Sequence, residues 1–246
     1  TSLQSYTVNN VNPIASFGTN PIDNYNSSTS SITFDLSCSD NLEVDYLILY
    51  TNTTGTWSAN QTNSSPLNNT FWNVTVAGIP EGRNYIWASW CNDSRSNTDF
   101  TNTNRTFTVD LTSPTSVINS PPNNTNTSDN TIDVNFTLTD NFDSNISYNL
   151  YVNNSINKSG IANNNTQTIN TTDALSDGLW LIIVEAVDDS GRRTNSSTFY
   201  YTVDTVAPTV TLPVYTNATQ RRSSQTLTLN ISVTESQTSV STCLVF

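Results

Sequence analysis

The chain of 246 residues contains no histidine and no methionine. Without histidine there is no Ser-His-Asp or Cys-His triad, no imidazole acid or base, and no imidazole metal ligand. A start without methionine points to a processed chain or to a segment of a longer one. Basic residues are scarce: 8 stand against 20 acids, a formal net charge of −12. Phosphate backbones and anionic lipid are held by basic fields, so nucleic acid and acidic membranes are poor partners. No run approaches the roughly 20 apolar residues of a helical membrane span. No charged-then-apolar leader opens the chain. There is no glycine-rich phosphate loop, no G-x-S-x-G elbow and no C-x-x-C pair. These absences lead to the expectation that the chain is not an enzyme. Glycine numbers only 7, so other residues must make the turns.

What is present is polar but not featureless. The chain carries 37 Asn and 74 Ser plus Thr, together with 5 Trp, 10 Tyr and 9 Phe. That many aromatic rings argue for packed cores rather than disorder. Asn and Asp tolerate left-handed backbone and are expected to supply the turns. Nineteen asparagines open an N-x-S/T sequon: Asn26, Asn52, Asn60, Asn63, Asn68, Asn73, Asn92, Asn104, Asn123, Asn126, Asn135, Asn145, Asn153, Asn157, Asn164, Asn170, Asn195, Asn217 and Asn230. Each is an acceptor of an N-glycan when exposed in a secreted chain. Asn73, Asn135 and Asn230 alternate with apolar residues in apparent strands, and so point outward. The competing reading is an Asn-rich composition with no sugar attached.

The chain repeats itself. The pattern T-V-(D/N)-x-x-x-P occurs at Thr7 to Pro13, Thr108 to Pro114 and Thr202 to Pro208, offset by 101 and then 94 residues. That period is too long for a solenoid and suits a string of sandwich domains. Downstream of each proline a run alternates with period two: Ile32, Phe34, Leu36, Cys38; Ile132, Val134, Phe136, Leu138; Leu227, Leu229, Ile231, Val233. This is the signature of a half-buried strand. An acid follows each run: Asp40, Asp140 and Glu235. Further strands are expected near 46–50, 71–76, 85–91 and 105–109, and near 146–152, 167–170, 179–187 and 198–203. A third unit begins and reaches a strand at 240–246. The domains read as 1–12, the terminal strand of a preceding or neighbouring unit; 13–110; 111–206; and 207–246, a partial unit holding only the first strands.

Of three cysteines, Cys38 closes one apparent strand and Cys91 another about fifty residues on. That spacing resembles a disulfide between two facing sheets. Alternation leaves open whether Trp90 or Cys91 faces inward. Cys243 is left over, to pair beyond this chain, to bond another molecule, or to stay a buried thiol.

The run Ser31-Ile32-Thr33-Phe34-Asp35-Leu36-Ser37-Cys38-Ser39-Asp40-Asn41-Leu42 resembles an early strand and turn of the tandem immunoglobulin-like repeats of archaeal and bacterial cell-surface proteins. Ile79-Pro80-Glu81-Gly82-Arg83-Asn84-Tyr85-Ile86-Trp87, Asn104 to Asp110, and the linker Val203 to Val210 are similar to the same repeats. The resemblance covers essentially the whole chain. It implies an all-β fold of tandem immunoglobulin-like β-sandwiches, and a place in surface layers, adhesins, filaments, stalks, or spacers on secreted enzymes. One departure is plain: Leu138 stands where the first unit has Cys38, so a sheet-bridging disulfide is not general here.

Several candidate sites remain. Asp40, Asp110, Asp140, Asp188 and Asp204 sit at strand ends and junctions, and such loop oxygens suit calcium, although no D-x-D-x-D-G loop is present. Asp188-Asp189 and Asp140/Asp143 could form a glycosidase-type pair, against the plainer reading of solvated loop acids. Trp57, Trp72, Trp87 and Trp90 are candidates for a sugar-stacking platform, against core packing. Arg192-Arg193 and Arg221-Arg222 read as solvated turns. The composite expectation is a glycosylated, extracellular structural protein forming a cell-surface filament, stalk or surface layer. Its partners are copies of itself or neighbouring immunoglobulin-like units, joined by strand donation. The alternatives are an adhesin or carbohydrate-binding module, and a spacer of a larger secreted enzyme.

Overall fold

The computed structural model of the chain describes residues 10–211 and 231–234. They fall into two compact units. The first is the described part of Thr1–Pro114 with Asp140–Ser144 and Asp188–Arg193; the second is Thr115–Thr139, Asn145–Val187 and the described part of Thr194–Phe246. Among the described residues every regular element is a strand, so the fold is all-β as expected.

The first unit carries β1 (Ile14–Phe17), β2 (Tyr25–Ser27), β3 (Ile32–Ser39), β4 (Val44–Thr51), β5 (Ser58–Asn63), β6 (Trp72–Val76), β7 (Gly82–Asp93), β8 (Thr98–Phe100) and β9 (Arg105–Val109). One sheet has the order β1-β3-β6 and the other β2-β9-β7-β4-β5, with β8 beside β7. Only β2 and β9 run parallel; the other pairs are antiparallel. The period-two runs decide which side chains meet between the sheets. Phe34, Leu36 and Cys38 of β3 face Leu47, Leu49, Trp87, Cys91, Phe107 and Val109, and all are at most 1% exposed. Trp87 is the hub of this core. Its ring meets Phe17 and Phe34 edge-on at 4.6 and 5.1 Å, an arrangement aromatic quadrupoles favour. Cys38 and Cys91 form a disulfide across the two sheets. Cys91 therefore faces inward, and Trp90 is only half-buried.

β3 departs from simple alternation, because Asp35 and Ser37 are buried too. The chain after β1 continues close beside this strand. Gly18 N donates to Asp35 O at 2.7 Å. Asp35 Oδ2 accepts from Thr19 Oγ1, Asn20 N and Asn20 Nδ2, each at 3.1 Å. A Cβ on Gly18 would lie 2.4 Å from Asp35 Cβ, so only glycine permits this close approach.

The second unit repeats the plan with β10 (Thr115–Ser120), β11 (Thr125–Thr127), β12 (Asp133–Thr139), β13 (Asn145–Val152), β14 (Ser155–Asn163), β15 (Gln167–Thr171), β16 (Gly178–Val187), β17 (Arg193–Asn195) and β18 (Phe199–Val203). Its sheets are β10-β12-β15 and β11-β18-β16-β13-β14, with β17 beside β16. Even the irregularities recur: the β4–β5 ladder shifts register at Leu49/Tyr50, and β13–β14 at Leu150/Tyr151. Val134, Phe136, Leu138, Ile146, Leu150, Ile182, Val184, Ala186 and Val203 are fully buried in its core. Three strands against a larger facing sheet, ordered this way, make each unit a sandwich of the immunoglobulin-like class.

Asparagine does make the turns. Asn24, Asn69, Asn84, Asn124, Asn153, Asn154 and Asn165 have positive φ, against four glycines that do. The pair Asn153-Asn154, at φ 48° and 63°, closes the β13–β14 hairpin with the backbone twist that a two-residue loop requires. Beyond the second sandwich, β19 (Thr209–Thr211) pairs antiparallel with β20 (Ser232–Thr234). Residues 10–12 carry no regular element. The rest of the strand expected in 1–12, the strand expected at 240–246, Cys243, Asn217, Asn230, Glu235 and Arg221-Arg222 lie outside the described residues.

Candidate functional site: sugar acceptors, an aromatic row and an acidic cluster

Seventeen of the nineteen sequon asparagines lie in described residues, and none of them is buried. Asn73 on β6, Asn104, Asn126 and Asn195 are exposed. Others have their amides built into the fold. Asn68 exchanges two bonds with the Asp40 main chain, at 2.9 and 2.7 Å. Asn52 and Asn153 sit at matching positions, and each accepts a backbone N–H through Oδ1, from Ile86 at 2.8 Å and Leu181 at 2.9 Å. Asn170 donates from Nδ2 to the hydroxyl of buried Tyr148 at 2.6 Å. A sugar replaces one hydrogen of Nδ2. Asparagines used only through Oδ1 remain compatible with it, whereas Asn68 and Asn170, which donate from Nδ2, would have to hold those bonds with the one N–H that is left.

The four tryptophans singled out from the sequence do not form one platform. Trp87 is core, and Trp72 packs half-buried against the same core. Trp57 and Trp90 instead join a row with Tyr50 and Phe100, at ring separations of 5.8 Å (Trp57–Tyr50), 5.1 Å (Tyr50–Phe100) and 6.4 Å (Phe100–Trp90). Trp57 and Phe100 are about 40% exposed. Tyr50 and Phe100 were missed because the row forms across strand partners: Trp90 lies directly opposite Phe100, and β4 lies between β5 and β7.

The acids divide. Asp110, Asp140 and Asp143 each bring a carboxylate oxygen within 4.8 Å of the others. Asp110 leaves β9, its N–H held by Ser27 O at 2.9 Å. Asp140 Oδ1 accepts from the N–H groups of Phe142 and Asp143 at 2.7 and 2.9 Å. Asp143 Oδ2 accepts from Asp189 N at 2.7 Å, and Asp188 Oδ1 from Arg192 N and Ser190 Oγ at 2.8 Å. All of these residues belong to the first unit. Burial pushes the Asp110 carboxyl up to about 6; a hydrogen bond from Thr112 N pulls the other way, and the negative charges of Asp140 and Asp188 push further. Asp143 is raised by burial, against the Asp189 hydrogen bond, and by Asp189, Asp140 and Asp188. A counter-charge comes from Arg83, whose Nη2 lies 4.0 Å from Asp143 Oδ1. Arg192 is no solvated turn: its Nε donates to Asp110 O at 3.0 Å and its Nη2 to Ser28 O at 2.7 Å.

Of the five acids named for calcium, Asp110, Asp140 and Asp188 thus share one neighbourhood. Asp40 and Asp204 lie outside this group and serve turns, taking the N–H groups of Leu42 and Glu43, and of Val206. Asp143, which sequence reading paired with Asp140 only as a candidate catalytic acid, belongs to the cluster. A cleft of about 440 Å³ beside Thr53, Asn60, Gln61, Val76 and Pro80 has no acid, base or thiol in its lining.

No family model matches the chain, and no curated protein matches it. Among solved structures it is similar to the Clostridium thermocellum CbhA fibronectin(III)-like modules, with 13% identity and a TM-score of 0.49, covering 77% of this chain and 94% of that one. It is similar to the chicken CNTN1 FN1-FN3 domains at 12% identity and a TM-score of 0.47, covering 78% and 66%. A marsupial T cell receptor gives 12% identity and a TM-score of 0.46, covering 82% and 77%. These are likenesses of fold alone. The strand order, repeated in both units, makes the chain an all-β protein of tandem fibronectin-III/immunoglobulin-like sandwiches.

Proposed function

We propose that this chain is a structural, glycosylated, extracellular protein whose tandem sandwiches build a cell-surface filament, stalk or surface layer. The observation that carries the reading is the distribution of sugar acceptors: every described sequon lies outside both cores, while those cores are filled by aliphatic and aromatic side chains. Interiors of this kind resist unfolding. Glycans around them would shield exposed apolar side chains and proteolysis sites. The Cys38–Cys91 disulfide supports an oxidising compartment. In this reading copies of the chain join by strand donation, whose affinity comes from backbone ladder bonds and seated apolar side chains. The β19–β20 pair, with Val210 exposed, is where a donated strand would add.

The test combines electron microscopy of native material with glycopeptide mass spectrometry. Ordered assemblies are expected, with sugar on Asn73, Asn104 and Asn195 and none on Asn170. Dispersed single molecules with bare sequons would refute the proposal.

The exposed aromatic row favours a second reading, a carbohydrate-binding surface module. Ring faces of this kind stack on sugars. Retention on a polysaccharide column that Trp57→Ala abolishes would support it, and unchanged retention would remove it.

A further inference from the structure

We propose that Asp110, Asp140, Asp143 and Asp188 of the first unit bind one calcium ion. Three carboxylate oxygens within 4.8 Å of one another fit a single coordination shell, because oxygens on opposite sides of Ca²⁺ lie about 4.6–5.2 Å apart. The independent observation is Asp188. It is 5% exposed, and its Oδ2 is buried without a hydrogen-bond partner.

The matching acid at the end of β7 shows what this oxygen would otherwise do. Asp93 stands at the end of β7, as Asp188 stands at the end of β16. Asp93 Oδ1 takes Arg95 N and Asn97 N, both at 2.9 Å, and its Oδ2 takes Asn97 Nδ2 at 2.7 Å. Asp188 repeats only the Oδ1 half: Arg192 replaces Asn97, and its guanidinium turns to carbonyls instead. A buried carboxylate oxygen without a donor is costly, and the charge of Asp188 is felt by both Asp110 and Asp143. A divalent cation satisfies all of these groups at once. Arg83, half-exposed and 4.0 Å from Asp143, and Arg192, whose Nε bonds Asp110 O, bring two positive charges against four carboxylates. The oxygen-only donor set suits a hard cation. Calcium is favoured over magnesium because magnesium gives up its waters reluctantly and is seldom held by an all-protein carboxylate cage. The inference stands whether or not the chain assembles into filaments.

The test uses the full chain, stripped with chelator and titrated with CaCl₂ by calorimetry. One ion per chain is expected, with a Kd on the order of 10⁻⁴ M, in the range of extracellular modules. The first-unit melting transition should rise by about 5 °C in 1 mM CaCl₂. MgCl₂ at the same concentration should do less. Asp188→Asn keeps an Oδ1 acceptor for Arg192 N and should weaken binding at least about tenfold, as should Asp143→Asn. Asp40→Asn, outside the cluster, should bind like the parent; circular dichroism checks that each variant is folded. Identical melting in chelator and calcium overturns the proposal. So does an Asp40→Asn variant that loses as much affinity as Asp188→Asn, which would mean diffuse binding to an acidic surface. A magnesium shift equal to that of calcium overturns the assignment of the ion.

Discussion

Cys38 and Cys91 of the first sandwich stand where the second has Leu138 and Ala186, each pair two residues before the turn acids Asp40 and Asp93, or Asp140 and Asp188. All four side chains are at most 1% exposed. Further along the same strands, Trp87 is matched by Ile182, both fully buried. At the start of the long strand Tyr85 donates its hydroxyl to Pro80 O at 3.1 Å, and Trp180 donates Nε1 to Ser176 O at 2.8 Å. Both are versions of the ring that ties this strand to the turn before it. After β1 the first sandwich anchors Pro21 O with the Arg105 guanidinium, and after β10 the second anchors Pro121 O with the Tyr201 hydroxyl. The topology survives every one of these exchanges. What the matched positions share is burial or a donor of the right reach. The covalent bond is an addition to one bead rather than a requirement of the fold.

That comparison is most sharply broken by removing the bond. Replacing Cys38 and Cys91 by alanine opens a loop of 53 residues, which should cost about 4 kcal/mol by chain entropy. Scanning calorimetry should show the first sandwich melting well below its parent while the second is unmoved. Conversely, Leu138→Cys with Ala186→Cys should form a bridge in the second sandwich, seen as loss of free thiol. The gain should be smaller, because a buried leucine is lost with it.

A smaller effect is expected where the chain of the first sandwich runs close beside β3 at Gly18. Gly18→Ala forces a Cβ into Asp35 and should cost about 1–3 kcal/mol, measured by chemical denaturation. At the matching place in the second sandwich Asn119 Nδ2 donates to Asn135 Oδ1 at 3.2 Å and to Thr137 Oγ1 at 2.8 Å. Asn119→Ala should be milder, since it removes bonds without adding a clash.

The smallest effect depends on pH. Asp23 Oδ1 accepts from Thr106 N at 2.7 Å, Thr106 Oγ1 at 2.9 Å and Asn24 N at 3.0 Å. At the matching place Asn123 Oδ1 accepts from Tyr200 N and Asn124 N. The Thr106 backbone hydrogen bond, then its hydroxyl, hold the Asp23 pKa below its ordinary value. A carboxyl lowered in the folded state adds stability above its unfolded pKa of about 4 and loses it as pH falls through the folded value. Acid titration of the first sandwich should therefore lose this contribution below about pH 4, and Asp23→Asn should remove that part of the slope.

Much of this architecture could be read from residue order. Of the alternating run Ile132, Val134, Phe136, Leu138 all but Ile132 fall in β12, and Arg105–Val109 became β9 to the residue. β5 (Ser58–Asn63) and β14 (Ser155–Asn163) were not foreseen. SANQTN has no apolar alternation, and in β14 the apolar residues Ile156 and Ile161 are mostly exposed. Both are outer strands that take their hydrogen bonds from β4 and β13. An edge strand needs a neighbour more than it needs a pattern.

Residue order by itself determined the strands that line the cores, the division into repeats and the use of asparagine in turns. Each of these depends on a side chain's own alternation or backbone preference. Only tertiary structure decided that Trp57, Tyr50, Phe100 and Trp90 share a surface, and that Asp110, Asp140 and Asp143 converge within reach of the Asp188 charge while Asp40 and Asp204 stay apart. Those groupings join residues far apart in the chain. Charge repulsion and ring contact act through space, and the loops that carry the acids are placed by the sheets beneath them.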